Sequence, residues 1–265
     1  MKKKCVVVIP IHSSNPSDFE LISFAQCFKV IKSAPIVVMH PKSLDLRRYR
    51  AVVDEFETIS IPPEKMSSLL NYNKLKLSRF FYRFFLNYEY ILTYELDAFI
   101  FKDDIEYWCS LDIDYIGAPW LKKVGDSISF NGVGNSGFSL RRVSVLDEFI
   151  KKYIRYPNSE PEKLIHRVYN KFIMVSYRLF PFKENITLQK WCLQNEDFVI
   201  SVYGPQVLPD FKIASYMQAT KFSFECYPDY MYMQNSFMLP MGCHAWWRYN
   251  LTFWKPFIEK EGYRL

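Results

Sequence analysis

The chain has 265 residues, 49% of them hydrophobic and 18% aromatic, which excludes intrinsic disorder and allows one large domain or two small ones. Its formal net charge is +6, and residues 151–190 alone account for that excess. The opening MKKKCVVVIPIHSS lacks the cleavage site of a signal peptide, and no apolar run reaches the roughly 18 residues of a membrane-spanning helix. We therefore expect a cytoplasmic protein.

The first half of the chain alternates between strand and helix patterns. CVVVIP at residues 5–10 and PIVVMH at residues 35–40 are continuous apolar runs, typical of strands buried on both faces. Between them, Ser17 and Glu20 form a capping-box pattern that predicts a helix over residues 19–31. Further predicted elements are a helix over 44–56, a strand over 57–61, a helix over 74–87 and a strand over 88–97. This alternation predicts an α/β fold with a mostly parallel central sheet and helices on both faces.

The last of these strands ends in two acids, Glu95 and Asp97. Side chains alternate faces along a strand, so both carboxylates should project to one side while Leu96 points away. Two carboxylates at this spacing repel unless they are solvated, protonated or joined by a cation. The pair indicates either a metal site or an ordinary solvated strand end, and ligands of α/β sheets bind at such ends.

The second half has a different pattern. Four of the eight glycines lie in GDSISFNGVGNSG at residues 125–137. A simple glycine turn that leads into the strand pattern FSLRR would explain the end of this segment without any function. Further predictions are a helix near 143–153, short strands around 220–226 and a final helix over 252–261. No repeat or linker interrupts the sequence, so we predict a single domain over residues 1–265.

Two further residues are candidates for chemistry. Asp197 follows Asn195 and Glu196 at the start of a predicted helix, where an Asn cap and acids in the first turn are common without any function. A catalytic base is the alternative at this position. His244, one of four histidines, lies in GCHAWW, where packing against aromatic residues competes with metal ligation as the explanation.

The order of these features resembles the metal-dependent glycosyltransferases of the GT-A fold. More specifically, the chain is similar to the DUF5672 family of bacterial proteins assigned as glycosyltransferases, in motifs that run in order from Tyr72 to Trp247. These motifs are YNKLKLS, YELDAFIFKDDIEYWC, YIGAPW, GNSGFSLRR, NEDFVIS, FSFE and GCHAWW. The resemblance implies a nucleotide-binding half, residues 1–104, and an acceptor-side half, residues 105–265, with 151–190 as a basic insert.

The resemblance also implies a metal site. In GT-A enzymes an Asp-x-Asp pair holds a divalent ion against the diphosphate of a nucleotide sugar, and Glu95 and Asp97 occupy that place here. The Glu departs from the pattern, which makes Asp97 the more secure ligand. His244 matches the late histidine that completes the metal site in related enzymes. Carboxylate oxygens suit Mn²⁺ or Mg²⁺, and the imidazole favours Mn²⁺.

The segment NEDF resembles the Glu-Asp-Val segment of fringe-like inverting galactosyl- and N-acetylglucosaminyltransferases. There the Asp deprotonates the acceptor hydroxyl, which implies Asp197 as the catalytic base and inversion of configuration. For the nucleotide of the donor we predict Pro10, Ile11, His12, Tyr72, Asn73 and Lys74 as binding residues. For the sugar and the acceptor we predict Trp120, Gly134, Asn135, Ser136, Gly137, Glu196 and Trp246.

The resulting hypothesis is a metal-dependent, inverting glycosyltransferase of the hexosyl type, active in bacterial surface polysaccharide synthesis, for O-antigen or capsule. It would take a sugar from a nucleotide-diphosphate donor to a carbohydrate acceptor. The alternatives are a retaining glycosyltransferase, a sugar-phosphate nucleotidyltransferase and a carbohydrate- or nucleic-acid-binding module. The stretch PIHSSNPSDF lacks the glycines of a nucleotidyltransferase loop, and a binding module leaves the acids without a role.

The basic insert, residues 151–190, interleaves Lys and Arg with Tyr, Phe, Ile and Leu. This composition suits contact with an anionic membrane surface. A lipid-linked acceptor would lie at the inner face of the cytoplasmic membrane, so such contact would bring the site to its substrate. A solvated basic face and a groove for an acidic acceptor are the alternatives. We predict no nucleic-acid partner.

Overall fold

The computed structural model describes residues 2–125, 127–153 and 195–265, so most of the basic insert lies outside the described residues. The strands are β1 Lys3–Pro10, β2 Ile36–Pro41, β3 Glu57–Ile61, β4 Tyr88–Tyr94, β5 Phe99–Ile100, β6 Tyr115–Ile116, β7 Pro119–Val124, β8 Ser127–Val133, β9 Phe138–Arg142, β10 Ser223–Phe224 and β11 Gly242–Cys243. The helices are α1 Asp18–Val30, α2 Arg47–Arg50, α3 Leu69–Lys76, α4 Arg79–Tyr82, α5 Ile105–Ser110, α6 Val143–Tyr153, α7 Glu196–Phe198, α8 Gly204–Val207, α9 Tyr216–Phe222, α10 Pro228–Gln234 and α11 Leu251–Lys260. Single 3₁₀ turns lie at Pro63–Met66 and Arg83–Phe85, and a π-helical turn at Val199–Tyr203 joins α7 to α8.

The central sheet has the strand order β3-β2-β1-β4-β9-β6. The pairings of β3 with β2, β2 with β1 and β1 with β4 are parallel, whereas β9 runs antiparallel to β4 and β6. Helices α1 and α5 pack on one face, and α3, α4 and α6 pack on the other. The predicted α/β fold with a mostly parallel sheet and helices on both faces is confirmed.

Strand β1 shows why its sequence is apolar at every position. Val7 and Ile9 belong to the core beneath α1, while Val6 and Val8 belong to the core on the opposite face. A strand buried on both faces has no solvent side on which to place polar residues. The same reasoning holds for the centre of β2, where Val37, Val38 and Met39 are buried.

The acids of interest follow β4 at the carboxyl edge of the sheet. Val8 pairs with Thr93, so β1 ends at Pro10 beside the end of β4. Strand β4 stops at Tyr94, and the N–H of Ala98 donates to the carbonyl of Glu95 at 2.9 Å, closing a turn. The prediction that both acids lie within the strand is therefore wrong. A tight turn, not strand alternation, sets the directions of the two carboxylates.

Two predicted helices also differ from the structure. The predicted helix over 44–56 is reduced to the single turn Arg47–Arg50. The predicted helix over 74–87 is divided, because the hydroxyl of Ser78 accepts from the N–H of Phe81 and starts a new helix. The capping box of Ser17 and Glu20 is present at α1, as predicted. No helix of the described residues combines the length and apolar character needed to cross a bilayer.

Candidate metal and catalytic site

Three candidate metal ligands converge at the end of β4. The ligand atoms of Glu95, Asp97 and His244 all lie within 4.8 Å of one another. Nε2 of His244 is 3.0 Å from Oδ1 of Asp97 and 3.9 Å from Oε2 of Glu95. Strand β5 follows the turn that contains Glu95 and Asp97, and the short strand β11 pairs with β5. Because His244 is the residue after β11, this pairing brings His244 close to the two acids.

The imidazole of His244 is oriented by a further acid, Glu225. Nδ1 lies 2.9 Å from Oε1 of Glu225, which can accept the Nδ1 proton and leave Nε2 with its lone pair. Nε2 is buried and has no hydrogen-bond partner of good geometry among the described residues. Burial disfavours the imidazolium, but Asp97 and Glu225 outweigh it and raise the pKa of His244 to about 10. Each nitrogen of the ring thus faces a carboxylate, an arrangement that favours positive charge at this position.

The two oxygens of Glu95 have different surroundings. Oε1 accepts hydrogen bonds from the hydroxyl of Tyr72 at 2.9 Å, Nζ of Lys76 at 2.8 Å and the hydroxyl of Ser136 at 3.0 Å. Oε2 instead faces His244. Burial would raise the pKa of Glu95, but the charges of Lys76 and His244 lower it to about 2. Glu95 is thus a fixed carboxylate with one oxygen directed at the other ligands.

The glycine-rich segment passes close to these ligands. A Cβ atom at Gly137 would lie 2.1 Å from Nε2 of His244 and 3.1 Å from Oε2 of Glu95. Oδ1 of the buried Asn135 accepts the N–H groups of Gly137 and Phe138, both at 2.8 Å, and fixes this backbone. The structure thus places Asn135, Ser136 and Gly137 around the candidate metal ligands.

Two carboxylates and an imidazole suit Mn²⁺ by their chemistry. Nε2 of His244 makes no hydrogen bond of good geometry, although Oδ1 of Asp97 is 3.0 Å away, so this nitrogen and the carboxylate oxygens of Glu95 and Asp97 are placed to share a bound ion. The residues present therefore fit a divalent metal.

A buried ion-pair network extends from Glu95 into the protein. Nζ of Lys76, a side chain only 1% exposed, lies 2.8 Å from Glu95 and 2.9 Å from Oε1 of Glu196. Arg141 reaches the same oxygen of Glu196 at 2.7 Å, and both of these side chains are 0% exposed. Burial would raise the pKa of Glu196, but Arg141 and Lys76 lower it. The predicted contact of Glu196 with the acceptor is therefore wrong, because the network encloses this carboxylate.

Asp197 is the residue after Glu196 and precedes the π-helical turn. Its Oδ1 accepts the N–H of Phe198 at 2.9 Å, and Asn195 makes no side-chain cap hydrogen bond. Burial, followed by the charge of Glu196, raises the pKa of Asp197 to about 6. A carboxylate with a pKa near neutrality can exchange protons at physiological pH, which an ordinary helix-start acid does not do.

The predicted donor residues are distributed between the sheet edge and α3. At the end of β1, Pro10 and Ile11 are buried and His12 is exposed. On α3, Tyr72 bonds Glu95, and Oδ1 of the buried Asn73 accepts the N–H of Glu196 at 3.2 Å. Asn73 therefore holds the start of α7, and its contact with a nucleotide stays a prediction. The half-buried Lys74 lies on the same helix.

The two tryptophans predicted at the sugar and acceptor site, Trp120 and Trp246, have different positions. Trp246 is fully buried and donates from Nε1 to the hydroxyl of Ser23 at 2.9 Å, so it belongs to the core and cannot stack on a sugar. Trp120 is half-buried and lies parallel to the ring of Phe198, with ring centres 6.0 Å apart. A Cβ atom at Gly134 would lie 2.4 Å from Trp120, so the glycine permits this packing.

Three residues of the site were missed by sequence reasoning: Lys76, Arg141 and Glu225. Each lies inside one of the quoted motifs, YNKLKLS, GNSGFSLRR and FSFE. The spacing of Tyr72 and Lys76 places them on one helix face, where Nζ of Lys76 is 4.0 Å from the centre of the Tyr72 ring. That spacing was the available signal for Lys76.

A family model described as "Protein of unknown function (DUF5672)" matches residues 55–244. No curated protein matches the sequence significantly.

Solved structures resemble the chain at low identity. The apo crystal structure of mouse xyloside xylosyltransferase 1 is 9% identical with a TM-score of 0.49, covering 91% of this chain and 97% of that one. The apo form of the glycosyltransferase GlyE of Streptococcus pneumoniae TIGR4 is 11% identical with a TM-score of 0.46, covering 97% and 63%. A 4-diphosphocytidyl-2C-methyl-D-erythritol synthase from Anaerococcus prevotii DSM 20548 is 10% identical with a TM-score of 0.38, covering 60% and 79%. Because all three TM-scores are below 0.5, we take the function from the site geometry instead.

Proposed function

The chain belongs to the DUF5672 family, and on that premise we propose that it is a metal-dependent glycosyltransferase acting with inversion. One observation carries the proposal: Glu95, Asp97 and His244 converge within 4.8 Å at the carboxyl edge of a mostly parallel sheet. Ligands of such sheets bind at this edge. The donor is a nucleotide-diphosphate sugar and the acceptor is a carbohydrate hydroxyl.

Glu95, Asp97 and His244 would hold the metal, with Mn²⁺ preferred over Mg²⁺ because of the imidazole. When bound, the divalent ion supplies positive charge that neutralises the departing nucleoside diphosphate. Glu225 would accept the proton on Nδ1 of His244, which would leave the lone pair of Nε2 for the metal. Lys76 and Tyr72 hold Glu95 ionised and in one orientation.

Asp197 would take the proton of the acceptor hydroxyl as that oxygen attacks the anomeric carbon. Its pKa of about 6 supports this role, because a base is most effective when its pKa lies near the working pH. Lys76 and Glu225 both influence this pKa, so Asp197 lies in the same electrostatic field as the metal ligands. The half-buried Trp120, which packs on Phe198 next to Asp197, is our candidate for contact with a sugar.

The alternatives use the same residues differently. A retaining glycosyltransferase does not need Asp197 as a base, and a sugar-phosphate nucleotidyltransferase would release pyrophosphate and not a nucleoside diphosphate. A carbohydrate- or nucleic-acid-binding module gives no reason for an acid with a pKa near neutrality beside a cation-attracting cluster.

We assign a hexosyl donor, a role in O-antigen or capsule synthesis and a lipid-linked acceptor. The basic insert 151–190 would contact the anionic inner face of the cytoplasmic membrane.

A donor screen tests the proposal. The protein is incubated with a panel of nucleotide-diphosphate sugars and carbohydrate acceptors, in Mn²⁺, Mg²⁺ or chelator, and released nucleoside diphosphate is measured. We expect release with one donor class, dependent on Mn²⁺ and abolished in Asp97→Asn, and a product of inverted anomeric configuration by NMR. Pyrophosphate release would favour the nucleotidyltransferase, and a retained configuration would remove the base role of Asp197.

A further inference from the structure

Lys76 connects the candidate metal ligand to the helix that carries the candidate base. Its Nζ contacts Oε1 of Glu95 at 2.8 Å, Oε1 of Glu196 at 2.9 Å and the hydroxyl of Ser136. The side chain is 1% exposed, so water does not compete for these contacts. The charge lies between two acids that belong to different elements of the fold.

On the metal side, Lys76 determines which oxygen of Glu95 is available. With Tyr72 and Ser136 it saturates Oε1, and three donors on one oxygen fix the plane of the carboxylate. Oε2 is thereby left facing His244. This arrangement presents Glu95 as a ligand through a single oxygen.

On the base side, Lys76 and Asn73 of the same helix hold the first residue of α7. Lys76 binds the carboxylate of Glu196, and Asn73 accepts the backbone N–H of Glu196 at 3.2 Å. Asp197 is the next residue, so the position of its carboxylate depends on that anchor. Arg141 binds the same carboxylate oxygen of Glu196 from β9.

Stability alone is a weak reason for this network. Buried ion pairs often contribute no more to folding than apolar residues of similar volume, because the desolvation of each charge offsets the attraction. Apolar side chains of similar volume could fill the same space without the free energy of desolvating the charges. The contacts of Lys76 with both functional acids give it a more specific role.

We propose that Lys76 is a positioning residue that fixes Glu95 for metal binding through Oε2 and, by way of Glu196, fixes the carboxylate of Asp197. The proposal rests on the proposed function, because it takes Glu95 as a metal ligand and Asp197 as the base. In this arrangement one lysine, Lys76, fixes the positions of the Glu95 and Asp197 carboxylates relative to each other. Removal of Lys76 is expected to disturb both groups at once.

Mn²⁺ binding in the absence of any donor or acceptor is the first test. Lys76→Met keeps the length of the side chain and removes the charge, and we expect isothermal titration to show a ~10–100-fold weaker Mn²⁺ affinity, the usual effect of losing a group that orients a ligand. The control is Lys29→Met, which removes a lysine paired with Glu261 at 3.0 Å on the surface. Its Mn²⁺ affinity should equal that of the wild type.

A second variant separates positioning from folding. Lys76 and Arg141 are both buried cations paired with Glu196, but only Lys76 also contacts Glu95. Arg141→Met and Lys76→Met should therefore both lower the melting temperature, because each leaves Glu196 with one cation fewer. We expect only Lys76→Met to lose Mn²⁺ affinity. If a folded Arg141→Met variant loses as much Mn²⁺ affinity, the role of Lys76 is structural only and the proposal is wrong.

The pH profile gives an independent readout. Burial raises the pKa of Asp197 and the charge of Lys76 lowers it. In Lys76→Met, the ascending limb of the plot of turnover against pH should therefore move to higher pH. A folded Lys76→Met variant with wild-type Mn²⁺ affinity and an unmoved limb contradicts the role of Lys76 and leaves the proposed function intact. A wild-type protein that binds no Mn²⁺ contradicts the metal site itself, and this proposal with it.

Discussion

A Cβ atom at Gly137 would lie 2.1 Å from Nε2 of His244. No ordinary van der Waals contact is that short, so a side chain at this position must displace the imidazole. The glycine-rich segment is thus required here for the close approach of backbone to a candidate ligand, since φ of Gly137 does not fall in the left-handed region that favours glycine.

The first prediction follows from that approach. Gly137→Ala should weaken Mn²⁺ binding by at least ~10-fold, because the methyl group moves His244 away from Asp97. The matched control is Gly204→Ala, whose methyl group would crowd the ring of Phe211 at 2.9 Å in the core. Both variants should lose stability, but only the first should lose Mn²⁺ in a titration. Equal Mn²⁺ affinity in the two variants would count against His244 as a ligand.

The second prediction concerns Asp97. Asp97→Asn should abolish Mn²⁺-dependent donor binding and leave the circular dichroism spectrum unchanged, because an amide is a much weaker metal ligand than a carboxylate. The control is Asp103→Asn, since Asp103 accepts the N–H groups of Lys32 and Ser33 at 2.7 and 2.8 Å and so has a purely structural role. Asp103→Asn should lower the melting temperature and retain donor binding. Wild-type donor affinity in Asp97→Asn would refute the metal assignment.

The third prediction concerns the basic insert. Lys151 and Lys152 form ion pairs with Asp147 and Glu148 one turn earlier in α6, so their charges are partly balanced. A variant with Arg155, Lys163, Arg167 and Lys171 changed to Gln should therefore lose flotation with anionic liposomes at low salt, as each such charge contributes about 1 kcal/mol near an anionic surface.

The control for the insert is the variant with Lys151 and Lys152 changed to Gln, which should float almost as well as the wild type. Neutral liposomes should bind none of the three proteins. If the wild type stays unbound at low salt, membrane contact is excluded and the glycosyltransferase proposal is unaffected.

The parallel strands could be predicted because β1 and β2 are apolar at every central position, which only a sheet covered on both faces requires. Glu95 and Asp97 could be located because they follow such a strand. The turn that brings them together could not be predicted, since it depends on the hydrogen bond from Ala98 to Glu95.

The identity of the buried lysine could not be predicted either. Residues two apart on a helix project in nearly opposite directions, so Lys74 and Lys76 cannot both face Glu95. The choice depends on where α3 begins and how it packs, which long-range contacts decide. The prediction that Trp246 contacts a sugar is wrong because packing places Trp246 in the core. The sequence alone does not distinguish Trp246 from Trp247 in this respect.

The fourth prediction concerns turnover. Asp197→Asn should lower kcat by about 10²–10⁴-fold, the usual effect of losing a general base, while donor affinity changes little. In the wild type, kcat/KM should rise with pH and reach half of its maximum near the pKa of Asp197, about 6, because only the carboxylate can accept the hydroxyl proton. The variant should lack this ascending limb. A limb that persists unchanged in Asp197→Asn would assign it to another group.

The last prediction concerns how the ionisation of Asp197 lowers the stability of the native protein. Its pKa is about 6 in the folded chain, above the 3.8 of an ordinary aspartate, because burial and Glu196 disfavour the charged form. The native state therefore binds more protons than the unfolded state between these values, and the stabilising contribution of protonated Asp197 is complete below pH ~4 and lost as the pH rises through about 6.

Asp197→Asn resembles the protonated form and keeps the oxygen that accepts the N–H of Phe198. At pH 8 the variant should consequently be more stable than the wild type by on the order of 1 kcal/mol, after allowance for the partial exposure of the group, or about 2–4 °C in melting temperature. The difference should disappear near pH 4. Asp210→Asn, at an exposed position, should leave the melting temperature at pH 8 nearly unchanged. A lower melting temperature for Asp197→Asn at pH 8 would instead mean that the carboxylate stabilises the helix start, as an ordinary capping acid does.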